Sequence, residues 1–104
     1  MIEKTITNAI LRFLKSIPGC FCWKQPGGLH GTAGLPDIIC CIRGMFIAFE
    51  VKTIKGSLTK LQEVTINHIL EAGGRAFKVT SVADVKAALY SLEVLDENRM
   101  DVPR

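Results

Sequence analysis

The chain has 104 residues, enough for one domain around a single core. Its hydrophobic fraction of 48% and charged fraction of 22% exclude a disordered chain, and no apolar run approaches the length of a membrane helix. The net charge of +3 is unevenly spread: residues 1–60 hold eight Lys or Arg against three Asp or Glu, and residues 61–104 hold five against seven. A basic half suits an anionic partner such as nucleic acid, and leaves Glu3, Asp37 and Glu50 as carboxylates that need a reason.

The N-terminal segment keeps a helical period through Ile2, Ile6, Ala9, Ile10, Phe13, Leu14 and Ile17, and Pro18-Gly19 stops it. This predicts a helix over 3–16, an amphipathic start rather than a signal peptide, and so a cytoplasmic protein. A short strand is expected over 20–25, then a Gly- and Pro-rich loop over 26–34. The β-rich runs 36–42 and 45–52 are separated only by Arg43-Gly44, which reads as a hairpin.

A second helix is expected over 58–72 with Ser57 as its N-cap and Gly73-Gly74 as its stop. A strand over 75–79 follows, and Ser81 with Asp84 three residues later begins a last helix over about 82–92. The domain is read as residues 1–92, with 93–104 a polar tail. Because both hairpin strands are apolar at nearly every position, both faces of the sheet must be covered. The fold class is therefore α/β, a mixed central sheet flanked by helices, the last strand returning parallel through a helical crossover.

Cys20, Cys22, Cys40 and Cys41 lack the CxxC spacing of a zinc knuckle and read as small buried strand residues. Trp23 reads as core or interface, and His68 as an ordinary helix-face residue. The 26–34 loop lacks the GxxxxGK[ST] pattern of a phosphate-binding loop, so nucleotide binding is not indicated.

If Arg43-Gly44 is a two-residue turn, Ile42 faces Met45, and counting outward puts Asp37 opposite Glu50. Directly opposed residues have Cβ atoms about 4.5–5.5 Å apart, where like charges destabilise. Lys52, two residues beyond Glu50, projects from the same face. A divalent cation between the carboxylates explains this pairing better than a polar strand end does. Two hard carboxylates with the backbone carbonyl of Val51 suit Mg²⁺ or Mn²⁺, and the lysine can stabilise charge developing on a phosphate.

These residues carry a resemblance. Gly34-Leu35-Pro36-Asp37, Phe49-Glu50-Val51-Lys52 and the segment 57–62 ending in Gln62 resemble, in order and spacing, the PD-(D/E)XK nuclease superfamily and, within it, the virus-type replication-repair nuclease (VRR-NUC) domain. The resemblance spans about residues 1–80 and implies a restriction-endonuclease-like αβββαβ core. It implies that Asp37 and Glu50 are metal ligands assisted by the Val51 carbonyl, and that Lys52 is the catalytic lysine. Gln62 would orient Lys52 or a water, and Glu3 would complete the metal site. Lys24, His30, Lys55 and Lys60 are the candidate DNA contacts.

The resemblance further implies a Mg²⁺- or Mn²⁺-dependent, structure-selective DNA endonuclease of the Holliday-junction-resolving type. It also implies a homodimer of viral or prophage origin acting in the host cytoplasm. Two-fold symmetry suits such a task, since it presents two active sites to two related strands. The alternatives are a non-catalytic nucleic-acid-binding module that keeps the nuclease fold, a structural subunit, and a restriction-type or nicking enzyme.

Overall fold

The computed structural model describes residues 2–27 and 33–95. Helix α1 (Glu3–Lys15) buries Ile6, Thr7, Ile10 and Leu14, the stripe expected of a period near 3.6. Glu3 in its first turn and Arg12 and Lys15 in its last complement the helix dipole. Strand β1 (Cys20–Lys24) pairs antiparallel with β2 (Ile38–Ile42), and β2 pairs antiparallel with β3 (Met45–Val51). Helix α2 (Lys60–Glu71) then crosses to β4 (Arg75–Val79), which lies parallel to β3, and α3 (Val82–Ser91) follows. The sheet is mixed, as the sequence predicts, and its strands are ordered β1-β2-β3-β4.

The hairpin register also matches the expectation: Ile42 faces Met45 and Ile38 faces Phe49. Arg43 and Gly44 both adopt left-handed backbone, with φ of 54° and 81°. That is the pair of conformations a tight two-residue hairpin needs, and Arg43 adopts it although Asn or Gly is the usual choice there.

Two element starts differ. The strand expected from residue 36 begins at Ile38, because Pro36 has no amide hydrogen to give and Asp37 is diverted from the β2–β3 ladder. The second helix begins at Lys60 rather than at 58, with Thr59 rather than Ser57 as its N-cap. Thr59 and Gln62 form a reciprocal capping box that satisfies two backbone donors, and Ser57 has no such partner three residues on. The last helix starts where expected: Ser81 Oγ accepts from the Asp84 amide at 3.1 Å, while the Asp84 carboxylate bonds Thr80 instead of closing the box.

One face of the sheet carries the core. Cys22, Ile38, Cys40, Ile42, Ile47, Phe49, Val51 and Val79 pack there against α1 and α3, with Val94 and Leu95 buried in the same cluster. The other face, under α2, is only partly covered. Ala48 and Glu50 are buried on it, whereas Phe46 is exposed and α2 itself has no buried residue. Cys41 is exposed, and Trp23 is 40% exposed with its ring against Phe21 and its indole N–H donated to Gln25. Cys41 is not the buried residue the sequence suggests, and Trp23 is not in the core; both lie on this second face, beyond the reach of α2.

Candidate active site

The site lies where β2 and β3 diverge. Pro36 is buried and sets the approach of the chain, and the Asp37 carbonyl accepts from the Gln25 amide at 2.8 Å. The Asp37 side chain turns instead toward β3, where its Oδ2 accepts from the Val51 amide at 2.7 Å. A carboxylate thus stands where a backbone carbonyl would continue the ladder. Asp37 is the residue next in register to the Ile38–Phe49 pair, opposite Glu50.

Glu50 sits on β3 between two buried neighbours and is itself only 3% exposed. Its Oε2 accepts from Gln62 Nε2 at 3.2 Å and lies 3.7 Å from Lys52 Nζ. Gln62 reaches it because the first turn of α2 passes over this end of the sheet. The approach of α2 is close: at Gly34, with φ of 85°, an added Cβ would fall 2.6 Å from Leu61 Cγ. Gly56 is packed less tightly but still closely, with its Cβ position 3.3 Å from Lys52 Cβ.

Electrostatics mark Glu50 as the strained group. Burial raises its carboxyl to about 8, assisted by the adjacent Asp37 carboxylate as hydrogen-bond partner and like charge, and by Glu3. Lys52 pulls in the opposite direction without compensating. The donor set, two converging hard carboxylates with one of them buried and short of positive charge, fits a divalent cation. Among the described residues no group of three or more His, Cys, Asp and Glu side chains converges, so Asp37 and Glu50 form a two-carboxylate set.

The structure brings Asp37, Glu50, Val51, Lys52 and Gln62 together. Glu3 is exposed in the first turn of α1, near enough for its charge to act on Glu50. Lys24 is exposed at the end of β1 and lines, with Gln25, Leu35 and Asp37, a cleft of about 510 Å³. Lys55 and Lys60 are exposed on and just after the segment joining Lys52 to α2. His30 lies outside the described residues.

Two site features escaped the sequence reading. Thr59 anchors Gln62 through the capping box, with the Thr59 amide donating to Gln62 Oε1 at 2.9 Å. The Thr-x-x-Gln spacing was the available signal. Gly56 beside Lys52 had none, since only packing reveals why a side chain is unwelcome there.

No family model matches the sequence, and no curated protein matches it. A solved structure described as a VRR_NUC domain superposes on it with a TM-score of 0.70 at 20% identity, over 85% of this chain and 94% of that one. The chain therefore has the VRR_NUC fold, the αβββαβ core that the resemblance implies.

Proposed function

We propose that this chain is a divalent-metal-dependent DNA endonuclease of the VRR-NUC type, selective for branched structure. The observation that carries the reading is the convergence of Asp37 and Glu50 beside Lys52, at the divergence of two strands in a nuclease-type fold. A divalent cation held by Asp37, Glu50 and the Val51 carbonyl, with Glu3 assisting, would supply Lewis-acid chemistry at the phosphate and favour ionisation of the attacking water.

The protein's own groups do the rest. Asp37 is fixed by the Val51 amide, and Gln62 holds one Glu50 oxygen, so the ligand geometry is set before substrate arrives. Lys52 is positioned to stabilise negative charge developing on the phosphate oxygens. Lys24, Lys55 and Lys60 offer phosphate contacts around the site, and the excess of cations in residues 1–60 draws DNA toward it. Readout is by shape, since the described residues offer no recognition helix or zinc finger for base edges. A homodimer is part of the proposal: β1 is an edge strand that itself carries exposed Phe21 and Trp23, a surface suited to a second copy.

The test is cleavage of labelled four-way junction, flap and linear duplex with Mg²⁺, Mn²⁺ or EDTA, beside a sizing measurement. Symmetric metal-dependent cuts in the junction by a dimer support the proposal. Binding of DNA without cleavage under every condition would favour the non-catalytic module, and sequence-dependent fragments from linear duplex a restriction-type enzyme.

A further inference from the structure

Strands β3 and β4 run parallel and end side by side at Val51 and Val79, and the Lys52 amide donates to the Val79 carbonyl at 2.9 Å just beyond them. From these ends the chain leaves as Thr53-Ile54-Lys55 on one side and Thr80-Ser81-Val82 on the other. Together with Ile6 and Ala9 of α1 they line a groove of about 560 Å³. The carboxyl ends of parallel strands are where open α/β sheets place ligands, and the volume lies within the range of about 300–1,000 Å³ usual for small-molecule sites.

The groove's chemistry narrows its occupant. Its walls are the apolar side chains of Ile6, Ala9, Ile54 and Val82, and its remaining lining is three hydroxyls and the Lys55 ammonium. The adjacent start of α3 is already satisfied: Ser81 Oγ caps the Asp84 amide, and the Asp84 carboxylate takes both the Thr80 amide and its hydroxyl at 2.8 Å. A carboxylate there disfavours a phosphate. A flat, largely apolar group with hydrogen-bonding edges suits the lining, and a nucleobase is such a group.

The groove adjoins the active site along the chain. Thr53 follows Lys52 directly, and Ile6 lies one helical turn from Glu3, whose charge acts on Glu50. Ile54, part of the groove's own lining, is 86% exposed and the most exposed large hydrophobic side chain among the described residues, with lysines at positions 52 and 55. Proteins that kink DNA insert such apolar wedges between base steps.

We propose that this groove receives a nucleobase displaced from the DNA stack beside the scissile phosphate, with Ile54 as the wedge that displaces it. The inference rests on the nuclease reading, which supplies the DNA, and it names the substrate feature being selected: an unpaired or weakly stacked nucleotide next to the cut.

The experiment uses the full chain in EDTA, so that binding is read without cleavage. The probe is duplex DNA carrying one unpaired 2-aminopurine, against the same duplex fully paired. Wild type is expected to raise the fluorescence of the unpaired base and to prefer that DNA by about tenfold, the order gained by burying one small apolar surface. Ile54→Asn, at an exposed position that spares the fold, and Ala9→Phe, which fills the groove, should both reduce the preference to near unity. An unchanged preference in Ile54→Asn, or no preference in wild type, overturns the inference. Parallel Mg²⁺ reactions separate the two readings: cleavage that persists without any base preference leaves the nuclease and removes the groove. A base preference lost in both variants, in a protein that never cuts, leaves the groove and removes the nuclease.

Discussion

Gln62 donates from Nε2 to Glu50 Oε2 at 3.2 Å while its own Oε1 accepts from the backbone of Thr59 at 2.9 Å. One side chain therefore both starts α2 and fixes a carboxylate on β3. The helix N-terminus and the site are built as a unit, and the two roles can be separated by substitution. Thr59→Ala removes the cap without touching Glu50 and is expected to cost about 1 kcal/mol of stability with little loss of cleavage. Gln62→Ala should match that loss in a thermal melt and in addition slow cleavage by about 10–100-fold, as removal of a group orienting a metal ligand does. Equal cleavage rates in the two variants would deny Gln62 its positioning role.

Asp37→Asn keeps an acceptor for the Val51 amide, so the fold should survive while the ligand charge is lost. We expect no detectable cleavage with near wild-type circular dichroism. Lys52→Ala should likewise abolish cleavage and still bind DNA, because phosphate contacts are shared with Lys24, Lys55 and Lys60. Gel-shift and cleavage assays on one labelled junction check both, and full activity in either variant would refute the assigned site.

The raised Glu50 carboxyl predicts an unusual pH dependence. In the unfolded chain this group titrates near 4.5, whereas folded it titrates at about 8, so between those values the folded state binds more protons. Stability of the metal-free protein should therefore fall as pH rises from about 4.5 to about 8. Thermal melts at pH 5 and pH 8 in EDTA read this directly. Glu50→Gln, which cannot ionise, should flatten the dependence. Added Mg²⁺ or Mn²⁺ should restore wild-type stability at pH 8, since it binds the ionised folded form, but should not stabilise the Gln variant comparably.

Gly34→Ala tests the approach of α2. The substitution forces a left-handed φ of 85° on a residue with a Cβ and drives that atom to 2.6 Å from Leu61 Cγ. A loss of about 1–3 kcal/mol is expected in denaturant unfolding. Gly27→Ala, where an added Cβ meets nothing within 4 Å, is the control and should be near neutral.

The number and type of the elements among the described residues were legible in the sequence. The period of α1, the turn at Arg43-Gly44 and the apolar hairpin strands are local patterns, and local patterns decide helix, strand and turn. The register followed too, because a two-residue loop leaves one pairing, and with it came the meeting of Asp37 and Glu50. The start of α2 was misplaced because Ser57 and Thr59 are both plausible caps; the reciprocal partner Gln62 decides between them. Cys41 was misjudged as buried because strand composition cannot say how far one helix will cover a face.

By itself, then, the sequence determined the αβββαβ order, the opposed carboxylates and the lysine beside them, since all three depend on alternation along two strands joined by a short turn. The tertiary structure alone decided what surrounds them. Burial of Glu50, the diversion of Asp37 onto the Val51 amide, the close passage of α2 over Gly34 and the groove beyond Val51 and Val79 arise from elements distant in sequence. Their contacts depend on the packing of whole helices against a sheet, a balance of shape and desolvation that no local pattern encodes.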